Sequence, residues 1–219
     1  MTTAVQEKET TSTTFEYSPA NVQIGGGKAY LFVKRLLDLV ISVLGMITLS
    51  LPMLIIAIFI KLDSEGPVIF KQERLGLNGK PFMIYKFRSM SIDAEINGPK
   101  WAEENDVRCT KFGAMLRKSR LDELPQLLNV LRGDMSLVGP RPEREYFYIE
   151  FEKYIPGFQN RLVVIPGLTG HAQVNGGYSL LPEEKIVYDM EYIQNRSLRM
   201  DLQCILKTIL VLFTHNGAR

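Results

Sequence analysis

Two adjacent carboxylates, Asp122 and Glu123, follow the cations Arg117, Lys118 and Arg120 in the stretch RKSRLDELPQLLNVLRGDMSLVGPRPE. One apolar run later comes the rigid turn Gly139-Pro140-Arg141-Pro142. Carboxylates at a helix N-terminus are stabilised by the helix dipole, so Ser119 or Asp122 reads as a cap and Glu123 as a first-turn acid. The same dipole and cations would hold an Asp ionised, with its pKa pushed down. An ionised Asp can ligate a metal or act as a covalent nucleophile. Consecutive helical side chains point about 100° apart, so Asp122 and Glu123 should not share one job. Two acids can approach a diphosphate only if cations offset the repulsion; a hard divalent ion such as Mg²⁺ with nearby Arg and Lys does that. Arg141, fixed between two prolines, suits a bidentate phosphate grip, and Lys86 and Arg88 could add to it. The pattern points to a diphosphate site; the plainer alternative is a capped helix with no chemistry.

Several elements must position these groups. In PVIFKQERLGLNGKPFMIYKFRSM, strand-like runs at Val68 to Lys71 and Phe82 to Phe87 flank Asn78-Gly79, a hairpin signal. Lys71, Arg74, Lys80, Lys86 and Arg88 outweigh Glu73 there, giving either a solvated face or a positive wall for phosphate. GLNGKP is no Walker loop, because its glycine spacing is wrong and Pro81 stands where Ser or Thr is needed. KFGAMLRKSR carries an apolar face of Phe112, Met115 and Leu116 ringed by cations. That suits a helix on an anionic surface or a basic solvated helix. ELPQLLNVL reads as a buried helix, REYFYIEFEKYI as an aromatic-rich helix and PGLTGHAQVNGG as a glycine-rich loop. PEEKIVYDMEYIQNRS opens with Pro182 and two acids, a good helix start. DLQCILKTILVLF is too short to span a bilayer and reads as a core or interfacial helix. Trp101 suits an interfacial anchor or a packed core.

The segment LVISVLGMITLSLPMLIIAIFI, Leu39 to Ile60, carries no charge and is long enough as one straight helix to cross a core of roughly 30 Å. It begins too late for a signal peptide. Pro52 removes a backbone donor and bends a helix, and the Ser50 hydroxyl is the natural partner for the carbonyl set free. A kinked spanning helix is the plainer fit, since prolines are tolerated in spanning helices; a helix that returns to the same side also fits, because Lys34, Arg35 and Lys61 place positive charge at both ends. The Thr-rich residues 1–27, ending in Gly25-Gly26-Gly27, read as a disordered tail with a flexible joint. The 219 residues suffice for one domain with a real core, and the net charge of +2 argues against nucleic acid as a partner. Cys109 and Cys204, and two isolated histidines, form neither a disulfide framework nor a zinc motif, which fits a reducing compartment.

Taken together, KRLLDLVIS…SLP, GPVIFKQERLGLNGKPFMIYKFRSM, SRLDELPQLLNVLRGDMSLVGPRPE and PGLTGHAQVNG resemble the bacterial sugar transferases, monotopic polyprenyl-phosphate phosphoglycosyl transferases. The resemblance runs from about residue 30 to the C-terminus in several motifs in one order. It implies an α+β, mostly helical fold: a re-entrant membrane helix over 28–62 broken at Ser50 and Pro52, a small β-hairpin, interfacial amphipathic helices and a compact cytosolic catalytic domain over 63–219. It implies that Asp122 attacks a UDP-sugar, releases UMP and carries the sugar phosphate covalently until undecaprenyl phosphate accepts it. Glu123 would assist, Mg²⁺ would be the cofactor with Asp122 as its ligand, and Pro140, Arg141, Lys86 and Arg88 would hold phosphate. Arg161, Gln173, Asn175 and Arg219 fall in the region of the nucleotide-sugar. The location implied is the cytoplasmic leaflet of the bacterial inner membrane, at the start of exopolysaccharide, capsule or a related glycan, with a homodimer open.

Two departures leave the sugar unnamed. Ile165 stands where many relatives carry Arg or Lys before the Pro-Gly, and His171 where many carry Trp or another large apolar residue. The competing reading is an inactive membrane-associated scaffold for polysaccharide assembly. A basic lipid-binding module without chemistry would leave the Pro-Arg-Pro turn unexplained.

Overall fold

The computed structural model describes residues 15–96, 98, 106–177 and 180–214. Helices dominate, and two small sheets carry the site. Helices α1 (Lys28–Thr48) and α2 (Ser50–Asp63) lead into the antiparallel hairpin β1 (Ile69–Leu75) and β2 (Pro81–Phe87). Then come α3 (Lys111–Lys118), a 3-10 helix Leu121–Gln126, α4 (Leu127–Arg132), β3 (Ser136–Val138) and α5 (Glu145–Glu152). A 3-10 helix Phe158–Val163, β4 (Gly167–Thr169), α6 (His171–Asn175), α7 (Pro182–Asn195) and α8 (Leu198–Thr214) complete the order.

Among the described residues no single helix is long and apolar enough to cross a membrane; α1 and α2, bent by 60°, reach that length and composition only as a pair. The bend sits at Leu49, where Pro52 has no N–H to offer the Thr48 carbonyl. The Ser50 hydroxyl donates to the Ile47 carbonyl at 2.7 Å, one residue before the Thr48 carbonyl it was expected to partner. Only one face of the pair is apolar and open: Leu36, Leu44, Ile47, Leu51, Leu54, Ile58 and Leu62 are exposed. The other face is fastened to the rest of the chain. Arg35 donates to the Val130 and Leu131 carbonyls at 2.7 and 2.9 Å, at the end of α4. Lys34 pairs with Asp201 at 2.9 Å, and buried Asp38 accepts the Leu137 N–H of β3 at 3.0 Å. At the far end, Ile56 and Ile60 of α2 pack with Phe87 and Leu116.

The expected tail does not hold for residues 15–27. They run across the domain in fixed contacts: Ser18 exchanges hydrogen bonds with Gln159, and Phe15 lies against Tyr148 at 6.1 Å between centroids. The glycine triplet is no flexible joint either. Gly25 donates to the Ile193 carbonyl and accepts from Arg196, and a Cβ there would lie 2.2 Å from the Gln194 oxygen. The rest of the expected tail, residues 1–14, lies outside the described residues, as do Trp101 and Arg219.

The hairpin forms about Asn78-Gly79 as expected, with positive φ at both, and its strands run longer than the apolar patterns suggested. Helix α7 begins at Pro182, with Glu184 closing on the Leu181 N–H at 2.8 Å. The anticipated surface helix α3 is half wrong. Leu116 is buried and Phe112 lies 5.4 Å from Phe59 of α2, so α2 occupies much of that apolar face and only Met115 stays open. The glycine-rich loop is also a correction, for PGLTG builds β4, which pairs in parallel with β3. Behind both sheets lies a core of Leu127, Val130, Met135, Val138, Tyr192, Ile193 and Cys204.

Candidate active site

Asp122 and Glu123 occupy the 3-10 helix between α3 and α4, and the chain enters it through Arg120 in the left-handed region, φ +56°. Neither Ser119 nor Asp122 caps it: the Ser119 hydroxyl turns back to the Met115 and Leu116 carbonyls. With three residues per turn, neighbouring side chains diverge by about 120°. That divergence separates the two acids.

Glu123 is buried and bound. It accepts Lys86 at 2.8 Å and both Arg141 nitrogens, at 2.5 and 3.3 Å. Arg141 and Lys86 outweigh the desolvation and hold its carboxyl well below the usual range. Asp122 is equally buried, yet among the described residues no hydrogen bond or ion pair reaches its carboxylate. Burial and the Glu123 charge push it up to about 6, against the pull of Lys86, Arg117 and Arg141. The expectation of a depressed Asp is therefore corrected: burial and the Glu123 charge outweigh the nearby cations, and Lys86 and Arg141 pair with Glu123 instead.

The pair borders a cavity of about 370 Å³, within the range of small-molecule sites. Among the described residues, nine cationic side chains and four carboxylates line it. Its floor is one face of the hairpin, because Phe70, Gln72 and Arg74 alternate onto the same side of β1 opposite Lys86 of β2.

The Pro-Arg-Pro turn is placed by glycines. Gly139 donates to the Thr169 carbonyl and Gly167 to the Pro140 carbonyl, each at 2.9 Å. A Cβ on Gly167 would lie 2.1 Å from the Gly139 nitrogen, and one on Gly170 would lie 2.1 Å from the Gly139 oxygen. Only bare backbones can approach so closely. VGPRP and PGLTG are thus two halves of one brace, and Arg141 projects from it into the cavity.

Other expected residues divide. Pro140 shapes that brace. Lys86 reaches the cavity through the Glu123 pair. Arg88 borders the cavity, but its guanidinium donates to the carbonyls of Ile60, Ser64 and Glu65 and ties down the end of α2. Arg161 is buried in an ion pair with Asp189 at 2.7 Å, lies over the Phe158 ring and donates to the Arg141 carbonyl at 3.0 Å. It supports the turn from behind. Gln173 lines a side cavity of about 20 Å³ with Arg120, Arg141 and Lys185. Asn175 lines neither cavity and bonds Lys207 and the His171 carbonyl.

Sequence reasoning missed Lys185, Asp189 and Asp38. Lys185 lines both cavities, and burial pushes its ammonium down to about 8. The signal for Lys185 and Asp189 was their i,i+4 spacing on one face of α7, polar where the core face lies. Asp38 was the one acid in an otherwise apolar and basic helix start. Glu143 was quoted but unassigned; it is buried and pairs with Arg74 at 2.9 Å.

Among the described residues no group of three Asp, Glu, His or Cys side chains could hold a metal alone. Mg²⁺ commonly takes one or two carboxylates and completes its shell with substrate phosphates and water. Asp122, the acid left uncommitted, fits that role.

The model of the family described as bacterial sugar transferase matches residues 29–215. UDP-N-acetylgalactosamine-undecaprenyl-phosphate N-acetylgalactosaminephosphotransferase of Aeromonas hydrophila is 45% identical over 87% of this chain. The putative undecaprenyl-phosphate N-acetylgalactosaminyl 1-phosphate transferase of Bacillus subtilis is 52% identical over 61% of it. Exopolysaccharide production protein PSS of Rhizobium leguminosarum is 41% identical over 82% of it. The matches cover 46%, 74% and 94% of those relatives, so the chain spans about half the length of the first. With the motifs in one order and the family model matching nearly the whole described chain, the protein belongs to the bacterial sugar transferase family.

Proposed function

We propose that the protein transfers a sugar 1-phosphate from a UDP-sugar to a polyprenyl phosphate, in two steps through Asp122. The observation that carries the reading is the division of labour in the acid pair: one buried carboxylate is ion-paired, the other is free to react in a cationic cavity. The donor's diphosphate would be held by Arg141, Arg74, Arg144 and Lys185. An Asp122 oxygen attacks the β-phosphorus, the diphosphate P–O bond breaks, and UMP leaves with the electron pair. The acceptor's phosphate oxygen then attacks the same phosphorus, breaks the acyl P–O bond and returns Asp122 as a carboxylate. Glu123 keeps Lys86 and Arg141 in place through both steps. Mg²⁺, when bound by Asp122 and the donor's phosphate oxygens, supplies charge neutralisation. The names of the relatives support the reaction class, and two of them make UDP-N-acetylgalactosamine the first donor to try.

The bent pair α1–α2 fits a re-entrant element of the cytoplasmic leaflet of the bacterial inner membrane. Its start is bound through Lys34, Arg35 and Asp38, and its end through Arg88, to one and the same body. A spanning helix would need those two ends on opposite sides. The open apolar face of the pair would then lie in lipid.

The test is UMP release by purified protein with Mg²⁺, undecaprenyl phosphate and a panel of UDP-sugars, beside Asp122→Asn. Release from one donor, lost in the variant, supports the reading. Equal release by the variant would sink it, and no release from any donor would favour a scaffold.

A further inference from the structure

We infer that one end of the large cavity, walled by Phe70 and Ile92, is the subsite for the first isoprene units of a polyprenyl phosphate acceptor. The inference rests on the two-step reaction proposed above and assigns where its second substrate lies.

The floor of the cavity is graded. Phe70, Gln72 and Arg74 share one face of β1, so apolar gives way to cationic over about 13 Å, at roughly 3.3 Å per residue. Beyond Arg74 stand Glu143, which it binds, and Arg144. In the other direction the chain runs from Phe70 through Pro67 and Gly66 into the end of α2. Ile92 folds over that junction: a Cβ on Gly66 would lie 2.8 Å from its Cδ1. Phe70 is 40% exposed and Ile92 67% exposed, although both border a cavity dominated by charge. Phe70 faces Lys86 across the hairpin, and Lys86 binds Glu123, next to Asp122.

A UDP-sugar can use one aromatic face for its uracil, but its phosphates and sugar hydroxyls gain nothing from an apolar wall that continues onto an exposed apolar helix. A lipid phosphate needs both features side by side: a cation for its head and an apolar wall for the allylic chain. Continuity with α2 supplies the rest of the path. Phe59 and Leu62, 50% and 76% exposed, extend the apolar surface from Pro67 along the outer face of that helix. The remainder of the chain can stay in lipid while its phosphate reaches Asp122. Donor and acceptor then approach the same carboxylate from opposite ends of one cavity.

The test compares wild type with Phe70→Ser, Ile92→Ser and a control, Val107→Ser, whose side chain is 97% exposed and outside the cavity. Exchange of labelled UMP into UDP-sugar, without acceptor, reads the first step alone. Steady-state KM is then measured with undecaprenyl phosphate and with soluble farnesyl phosphate. Each cavity variant should raise the acceptor KM by about tenfold, by the same factor for both acceptors, with exchange and the control unchanged. An unchanged acceptor KM, a rise confined to the long-chain acceptor, or a parallel loss of exchange would overturn the assignment. Absence of exchange in the wild type would instead remove the two-step reading, and this inference with it.

Discussion

Replacing Asp122 by Asn should destroy turnover and make the protein more stable. Burial and the Glu123 charge push the carboxyl up to about 6 in the folded chain, above its ordinary range. Its folded pKa is raised, so the folded state binds the proton more tightly than the unfolded state. Stability is therefore lost as pH rises from about 4 through about 6. That elevation amounts to roughly 3 kcal/mol once Asp122 is fully ionised. Asn keeps the shape and the neutral form. The variant should exceed the wild type by a margin that grows with pH, from under about 1 kcal/mol at pH 4 to roughly 3 kcal/mol at pH 8. For a chain of this size that is about 6–12 °C in Tm at pH 8. Thermal unfolding of both proteins in one detergent, without Mg²⁺, at those two pH values reads it. A difference that does not grow with pH, or a variant less stable than wild type at pH 8, would refute the reasoning.

The same geometry makes further predictions. Glu123→Gln breaks two buried ion pairs and should cost roughly 2–4 kcal/mol in thermal unfolding, below the full range for a broken buried pair because Asp122 can take one cation. The kcat/KM of the UMP exchange should fall about tenfold per pH unit below about 6, as Asp122 takes its proton; a profile flat to pH 5 would contradict the assignment of the nucleophile. Gly167→Ala, with its Cβ 2.1 Å from the Gly139 nitrogen, should lose roughly 3 kcal/mol and most activity, whereas Gly27→Ala, with open space around it, should stay within about 0.5 kcal/mol. Arg88→Lys reaches fewer of the α2 carbonyls and should cost roughly 1–2 kcal/mol by denaturation while the KM for UDP-sugar stays unchanged.

Local chemistry was legible in the sequence, and long-range pairing was not. Asn78-Gly79, Pro182 and the Ser50–Pro52 break act within a few residues, so each marked its turn, helix start or bend correctly. The acid pair and Arg141 were found because carboxylates, cations and proline-bound arginine are rare in such proximity. Which cation serves which acid was not legible. Lys86, thirty-seven positions before Glu123 and expected to hold phosphate, pairs with that acid. Arg88 looked like a phosphate ligand by its place beside Lys86, but the partners that claim it are backbone carbonyls of a helix that sequence alone could not place. The β3–β4 pair was invisible for a similar reason: two three-residue strands carry too short a pattern, and their glycines read as loop. Residues 15–27 looked unstructured by composition, yet their backbone finds fixed partners in Gln159, Asn160 and Ile193.

The central claim is that Asp122 carries the sugar phosphate. The most direct measurement is the intact mass of the purified protein after mixing with UDP-sugar and Mg²⁺ without acceptor, followed by peptide mapping. A mass increase of one sugar phosphate on the peptide holding Asp122, discharged by undecaprenyl phosphate and absent in Asp122→Asn, is the predicted result. Full turnover with no adduct at any time, or an adduct on another residue, would contradict it.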